Sequence, residues 1–224
     1  MFYHDNLLAD IQRNVNVLQD GETNHERISD RKFMLAAVSR NSDAFIHAHD
    51  NLKHDRDFVL AAMCRNGYAL RNVTEPFKSD RDIVLVAVKQ RGEMLRYAAP
   101  YLQADREIVL QAVSEHGRAL HSASDELKAD REIVLTAIHQ NTHALLDASD
   151  DLRSDRDIVL AAVSRNADAL SFAANTMKDD RDIVFTAMRQ HYNGMRHASE
   201  ELRHDREICL EAVHEDGLAL SVMP

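Results

Sequence analysis

The dipeptide Asp-Arg returns at Asp30, Asp55, Asp80, Asp105, Asp130, Asp155, Asp180 and Asp205, always 25 residues apart, with no insertion or deletion. A period of this length marks a chain built from stacked copies of one supersecondary unit, none of which closes a core alone. Each copy is numbered below from its Asp as position 1. Position 3 is acidic in seven copies, Lys32 being the exception, and position 4 is Ile or Phe. Position 8 is Ala in all eight, including Ala112 and Ala137. Position 13 is Gly in four copies, positions 15 and 16 are usually Ala-Leu, and position 23 is Leu, Met or Phe.

The pattern predicts two short helices per repeat. The Asp is placed to cap the first, its carboxylate accepting a free amide of the opening turn, and the acid at position 3 suits the positive helix end. Apolar positions 4, 5, 8 and 9 mark one helical face, which Leu at position 6 widens. Gly at position 13 reads as a left-handed C-terminal cap. A second helix of 7–9 residues is expected over positions 15–19, then a Ser-Asp-Glu-Leu-like turn that Ser124, Ser149 and Ser199 are placed to cap. Ala at position 8 lets neighbouring helices approach closely. Helices about 8–10 Å apart predict an all-α structure, an α-solenoid of about eight 25-residue two-helix repeats forming an elongated superhelix.

Residues 1–29 read as a degenerate N-terminal cap, with Asp5, Leu8 and Ile11 hinting at a helix, and 30–224 as the repeat array, its last copy truncated. In that copy Glu211 and Asp216 suit a polar end cap, whereas Leu218 and Val222 do not. Six Gly and three Pro leave little material for hairpins, and with 5% aromatic residues and no Trp the core falls to Ala, Val, Ile and Leu. The start, MFYHDNLLADIQRN, has no basic leader before an apolar run. No apolar run reaches 18 residues, so no membrane span is expected. Cys64 and Cys209 suit a reducing compartment and lie too many repeats apart to join. A soluble, cytoplasmic protein is the expectation.

The recurring block, most complete as DREIVLQAVSEHGRALHSASDELKAD at 105–130, resembles the repeat of the family of domains of unknown function 4116. The resemblance covers about 30–224. It implies a helical repeat module and brings no catalytic or ligand-binding residue with it.

The Asp-Arg pairs (Asp55 and Arg56, Asp80 and Arg81, Asp105 and Arg106, Asp130 and Arg131, Asp155 and Arg156) are the most regular polar feature. Identical in every copy, they suit stacking, each Asp capping a helix and each Arg pairing with a carboxylate of its own or an adjacent repeat, such as position 21 or 22. A phosphate-gripping ladder is the less favoured alternative, since acids flank each Arg. The 13 His fall at variable repeat positions with no HExxH, so no metal site and no cofactor are expected. His139 and His143 share a helix face only if the helix continues between them. The acids from Asp147 to Asp157 lack the Gly and closing Glu of a calcium loop. No Walker loop, GxGxxG or GxSxG occurs, so a non-enzyme is expected.

Binding is expected where copies differ. Positions 3, 7, 10 and 14 are expected to share one face of the first helix, a ribbon carrying Tyr68, Lys89, Arg118, His139, His143 and Arg189. Positions 17 and 18 add a stripe with Tyr97 and Phe172. Exposed Tyr, Phe and Arg are the residue types that anchor interfaces. The expected partner is a protein or peptide bound by a monomeric scaffold, with end-to-end contacts possible. A nucleic-acid-binding array and, less favoured, a His-dependent metalloprotein are the alternatives. Net charge of −10 disfavours nucleic acid.

Overall fold

The structure is a computed structural model that describes residues 2–19 and 25–215. It is an all-α solenoid: the described residues form helices, with no strand among them. The chain divides into two compact units, Met1–Glu115 and His116–Pro224, with the boundary between positions 11 and 12 of the fourth repeat, and each is described by itself.

Each of the first seven repeats contains three helical pieces. In the repeat that starts at Asp55, a ten-residue α-helix, Arg56–Arg65, is followed by a six-residue 3-10 helix, Gly67–Asn72, and a four-residue α-helix, Glu75–Lys78. The expected second α-helix of 7–9 residues is thus a tighter and shorter element, with the turn after it forming a helix of its own. The reason is local. Asn66 at position 12 is extended, with φ −157°, and its side chain accepts the N–H of Tyr68, starting a new helix immediately after the old one. With three residues per turn, positions 13, 16 and 19 point one way and 14 and 17 the other. Gly67, Leu70 and Val73 are accordingly buried, while Arg71 is exposed and Tyr68 half-buried. In the first repeat the middle piece is instead the α-helix Ala44–His47.

The Asp caps act as their position suggests. Asp155 accepts the N–H groups of Asp157 and Ile158, both at 3.0 Å. Asp55, Asp80, Asp105, Asp130, Asp180 and Asp205 repeat that double acceptance, whereas Asp30 is bonded by Phe33 N–H at 2.9 Å. Of the three serines before the short helices, Ser149 and Ser199 cap theirs and Ser124 does not.

The core is made of side chains from positions 4, 5, 8, 9, 15, 16 and 19, mostly Ala, Val, Ile and Leu, and, beyond what the composition predicts, it takes in Met34, Met63 and the stacked rings of Phe45 and Phe58. Ile83, Val84, Ala87, Val88 and Leu95 are 0% exposed, and so are their counterparts Ile133, Val134, Ala137, Ile138 and Leu145. A fully buried Val, Ile or Leu contributes about 1.5–3 kcal/mol, so several per repeat carry the stack. Leu at position 6 stays half-exposed in most copies.

The Gly at position 13 has another role than a left-handed cap. A Cβ on Gly67 would lie 2.8 Å from the Ala87 carbonyl oxygen, and one on Gly117 would lie 2.4 Å from that of Ala137. Glycine here allows the neighbouring first helix to come close. The Gly67 N–H donates to the Gln90 side chain at 3.0 Å, and Gln90 Nε2 donates back to the Met63 and Cys64 carbonyls, both at 2.9 Å. Position 11 of one repeat thereby satisfies the helix end of the repeat before it.

The N-terminal residues follow the same order of pieces: α-helix Phe2–Arg13, 3-10 helix Val15–Leu18 and α-helix His25–Ser29. Ile11 is fully buried, and its carbonyl accepts from Asn41 Nδ2, so the cap packs as a neighbour repeat does. The Asp5 side chain and residues Asp216, Gly217, Leu218 and Val222 lie outside the described residues. Both cysteines are free, and no helix among the described residues is long and apolar enough to cross a membrane.

Candidate functional site: two surfaces of the repeat

The N-terminal ends of the first helices form a ladder of ion pairs. Arg56 donates to Asp80 at 2.6 Å and to Asp82 at 2.7 Å, both in the next repeat. Arg81 reaches Asp105 and Glu107, Arg156 reaches Asp180 and Asp182, and Arg181 reaches Asp205 and Glu207. Arg131 holds Asp155 and Asp157, and Arg31 holds Asp55. The partners are the following repeat's positions 1 and 3, not carboxylates at positions 21 or 22 such as the sequence suggests. The cause is geometric: position 2 opens one helix beside the opening turn of the next. Acids at position 21 pair instead with the cation three residues on, as in Asp125 with Lys128.

One carboxylate therefore serves two donors. The Arg56 guanidinium and the N–H groups of Ile83 and Asp82 hold Asp80 below the ordinary carboxyl range, against partial burial. Partial burial opposes ionisation of Asp105, Asp155 and Asp180, and the same two kinds of donor outweigh it.

The opposite ends of the first helices, with the 3-10 helices, make the second surface. The chain turns extended at position 12, so position 14 leaves the first helix altogether. The expected ribbon of positions 3, 7, 10 and 14 is therefore divided. Position 3 joins the ladder, and position 14 joins 17 and 18 on the 3-10 helices. The same turn separates His139, on the last turn of its helix, from His143 beyond it. Lys89, His139 and Arg189 are exposed at position 10, Arg118 and His143 are exposed at position 14, and Tyr68, Tyr97 and Phe172 are half-buried.

Contacts on this surface differ from copy to copy. Arg91 lies over the Tyr68 ring at 4.9 Å, and the Tyr68 hydroxyl donates to Glu93, which raises its pKa. Arg71 and Asn72 reach back to Asp43. In the second unit His143 and Phe172 rings are 5.0 Å apart, His121 Nδ1 meets Asp147 at 2.7 Å, and His197 meets Asp168 at 3.4 Å. Asp168, Ser171, Asn193, Arg196 and His197 line an open groove of about 610 Å³. Beside it, Leu146, 51% exposed, and Phe172 line a hollow of about 330 Å³. The 25-residue register points to these positions, since they are the ones whose residue type changes. Gln90 and Asn66, which fasten the helix ends, escaped the sequence reading because a single copy shows no partner for them.

Segments 30–77, 64–103, 105–153, 140–178 and 180–224 match the family model described as Domain of unknown function (DUF4116). The chain belongs to the DUF4116 family. Every matched segment exceeds one 25-residue period, and matches open at Asp30, Asp105 and Asp180, each the Asp that caps a first helix. No curated protein and no solved structure matches this DUF4116 chain. Among the described residues no three His, Cys, Asp or Glu side chains come together as metal ligands.

Proposed function

We propose that this DUF4116 chain is a non-catalytic scaffold that binds a protein or peptide along the surface of its 3-10 helices. The supporting observation is the division of labour between the two surfaces. The ladder repeats one contact from copy to copy, whereas positions 14, 17 and 18 change residue on a 3-10 helix that recurs from the second repeat to the seventh, and position 10 varies with them. A fold that needs nothing particular at those positions leaves them free for recognition. Tyr97, Phe172, Arg118 and Arg189 supply the aromatic and guanidinium groups that dominate interface energetics, and the shallow grooves suit an extended chain better than an enclosed small molecule.

Site-specific photo-crosslinking of the intact chain tests this reading. A photoreactive amino acid at position 97 or 172 is expected to trap a discrete partner in the source cell, and one at ladder position 132 is not. Equal trapping at all three places, or turnover of a small substrate by the purified chain, counts against it.

A further inference from the structure

Four departures from the repeat meet in one hollow of the second unit. Position 17 is Arg, His or Ser in five of the seven described copies, but in the fifth repeat it is Leu146, 51% exposed. In the sixth repeat position 18 is Phe172, and position 20 is Ala174 where the adjoining copies have Ser149 and Ser199. Position 21 of that repeat is Asn175, where five other copies have Asp or Glu. All four line the hollow of about 330 Å³, together with the buried Ala173. The loss of the acid leaves a cation over. Lys53, Lys78, Lys128 and Arg153, at position 24, each pair with the acid three residues earlier. Lys178 has Asn175 there instead, and among the described residues no carboxylate pairs with it. Lys178 lines the same hollow, whose other two charges, Asp150 and Arg153, are paired with each other. At Ser171 the hollow adjoins the open groove. There Asp168 is held by His197, while Arg196 is exposed and has no carboxylate partner among the described residues.

Resting on the scaffold reading above, we infer that this hollow anchors one apolar side chain of a partner peptide, with an acidic neighbour of that side chain meeting Lys178. A side chain laid against Leu146 and Phe172 takes apolar surface out of water on both sides, the main favourable contribution at such a contact. The hollow stands at the small end of ligand pockets, which run to about 1,000 Å³, and suits a single side chain of a longer segment. A carboxylate at Lys178 meets a cation with no internal competitor, which selects the sequence beside the anchor more than it adds affinity. The groove that continues from Ser171, with Arg196 on it, suits a segment that runs on over a chain terminus and gives a second acid a partner. Single-stranded RNA is the competing ligand, and two observations disfavour it. Asp150 and Asp168 line the hollow and the groove, so evenly spaced phosphates meet like charge there. Base stacking draws on aromatic faces, whereas Leu146, Ala173 and Ala174 are aliphatic and the Phe172 ring already lies beside His143.

Fluorescence anisotropy with the full chain tests the inference. The labelled, amidated probe is Gly-Ser-Gly-Ser-Glu-Leu-Glu-Ser-Gly-Ser, set against an analogue with Ser for Leu, an analogue with Gln for both Glu, and an oligouridine of the same length. The Glu-Leu-Glu probe is expected to bind at least about tenfold more tightly than the Ser analogue and at least about fivefold more tightly than the Gln analogue. Leu146→Ser is expected to weaken it at least about fivefold. Lys178→Gln is expected to weaken it at least about threefold while changing the Gln analogue less than about 1.5-fold. Lys128→Gln removes the same charge at the same repeat position, where an acid already holds it, and is expected to change the probe less than about 1.5-fold. Thermal melts verify folding, and Lys178→Gln decides by itself should Leu146→Ser fail to fold. A Ser or Gln analogue that binds as tightly as the probe, undiminished binding by either variant, equal losses in Lys128→Gln and Lys178→Gln, or tighter binding of oligouridine overturns the inference. So does the absence of binding by every probe at about 1 mM chain. A partner trapped by crosslinking at position 97 or 172 alongside any of these results leaves the scaffold reading standing and refutes the acidic-apolar segment alone.

Discussion

Arg56 meets Asp80 and Asp82, and one hundred residues later Arg156 meets Asp180 and Asp182 in the same way. At the other end of the same helices, one pair of repeats sets Arg91 against Tyr68 and another sets His143 against Phe172. The first kind of contact belongs to stacking, which puts the same demand on every copy. The second kind sits on backbone of the same conformation and is free to change. In a repeat protein, then, uniform polar contacts mark what holds neighbours together, and varied ones mark surface open to recognition.

The sharpest way to break the comparison is to disturb the layer beneath both surfaces. Ala137→Leu forces three additional heavy atoms into a site with 0% exposure. Overpacking of this kind costs about 1–3 kcal/mol and occasionally more, and urea unfolding followed by circular dichroism is expected to register the largest loss of the set. Gly117→Ala comes next, because its Cβ would sit against the Ala137 carbonyl. A loss of about 1–2 kcal/mol is expected as the neighbouring helix retreats. Asp155→Ala removes the acceptor of two backbone N–H groups and is expected to cost about 1 kcal/mol, the usual worth of an N-cap.

Arg131→Gln tests the ladder without touching a cap. Its pairs with Asp155 and Asp157 are half-exposed, so a loss of up to about 0.5 kcal/mol is expected, shrinking further in high salt. Asp80, Asp105, Asp155 and Asp180 have folded pKa values below the ordinary one. The stability they contribute is therefore fully present above about pH 4, the unfolded value, and is lost as pH falls through the folded values. Acid titration of stability is expected to show this loss below about pH 4, and Arg131→Gln to reduce its amplitude.

Substitutions on the 3-10 surface are expected to have the smallest effect on folding. Lys89→Gln and Arg118→Gln should change stability by no more than about 0.5 kcal/mol and leave the acid transition alone. A large destabilisation there would mean that the varied surface is part of the stack after all, and the contrast between the surfaces would fail.

Much of this was legible in the sequence. The Asp-Arg period located every first helix and every cap, since one residue type at one position leaves few structural roles. The 3-10 helix was not legible: apolar residues at 15, 16 and 19 fit an α-helix equally well, and what decides is Asn66 restarting the chain at position 12. The role of Gly67 was hidden for a related reason, because its constraint comes from the Ala87 carbonyl of another repeat. The candidate surface is legible in its residues and not in its layout, since helical spacing puts Tyr68 and His143 on the first helix whereas they stand on the next one.

The ladder also gives the array a polarity. Asp80 both opens its own helix and receives Arg56 from the repeat before it. If the repeat holding Asp80 melts, Arg56 loses both carboxylates and the helix it opens faces water. If instead the repeat holding Arg56 melts, Asp80 still accepts the N–H groups of Asp82 and Ile83. Within a unit the links thus behave as one-way fasteners, and fraying travels more easily toward the N-terminal side than away from it.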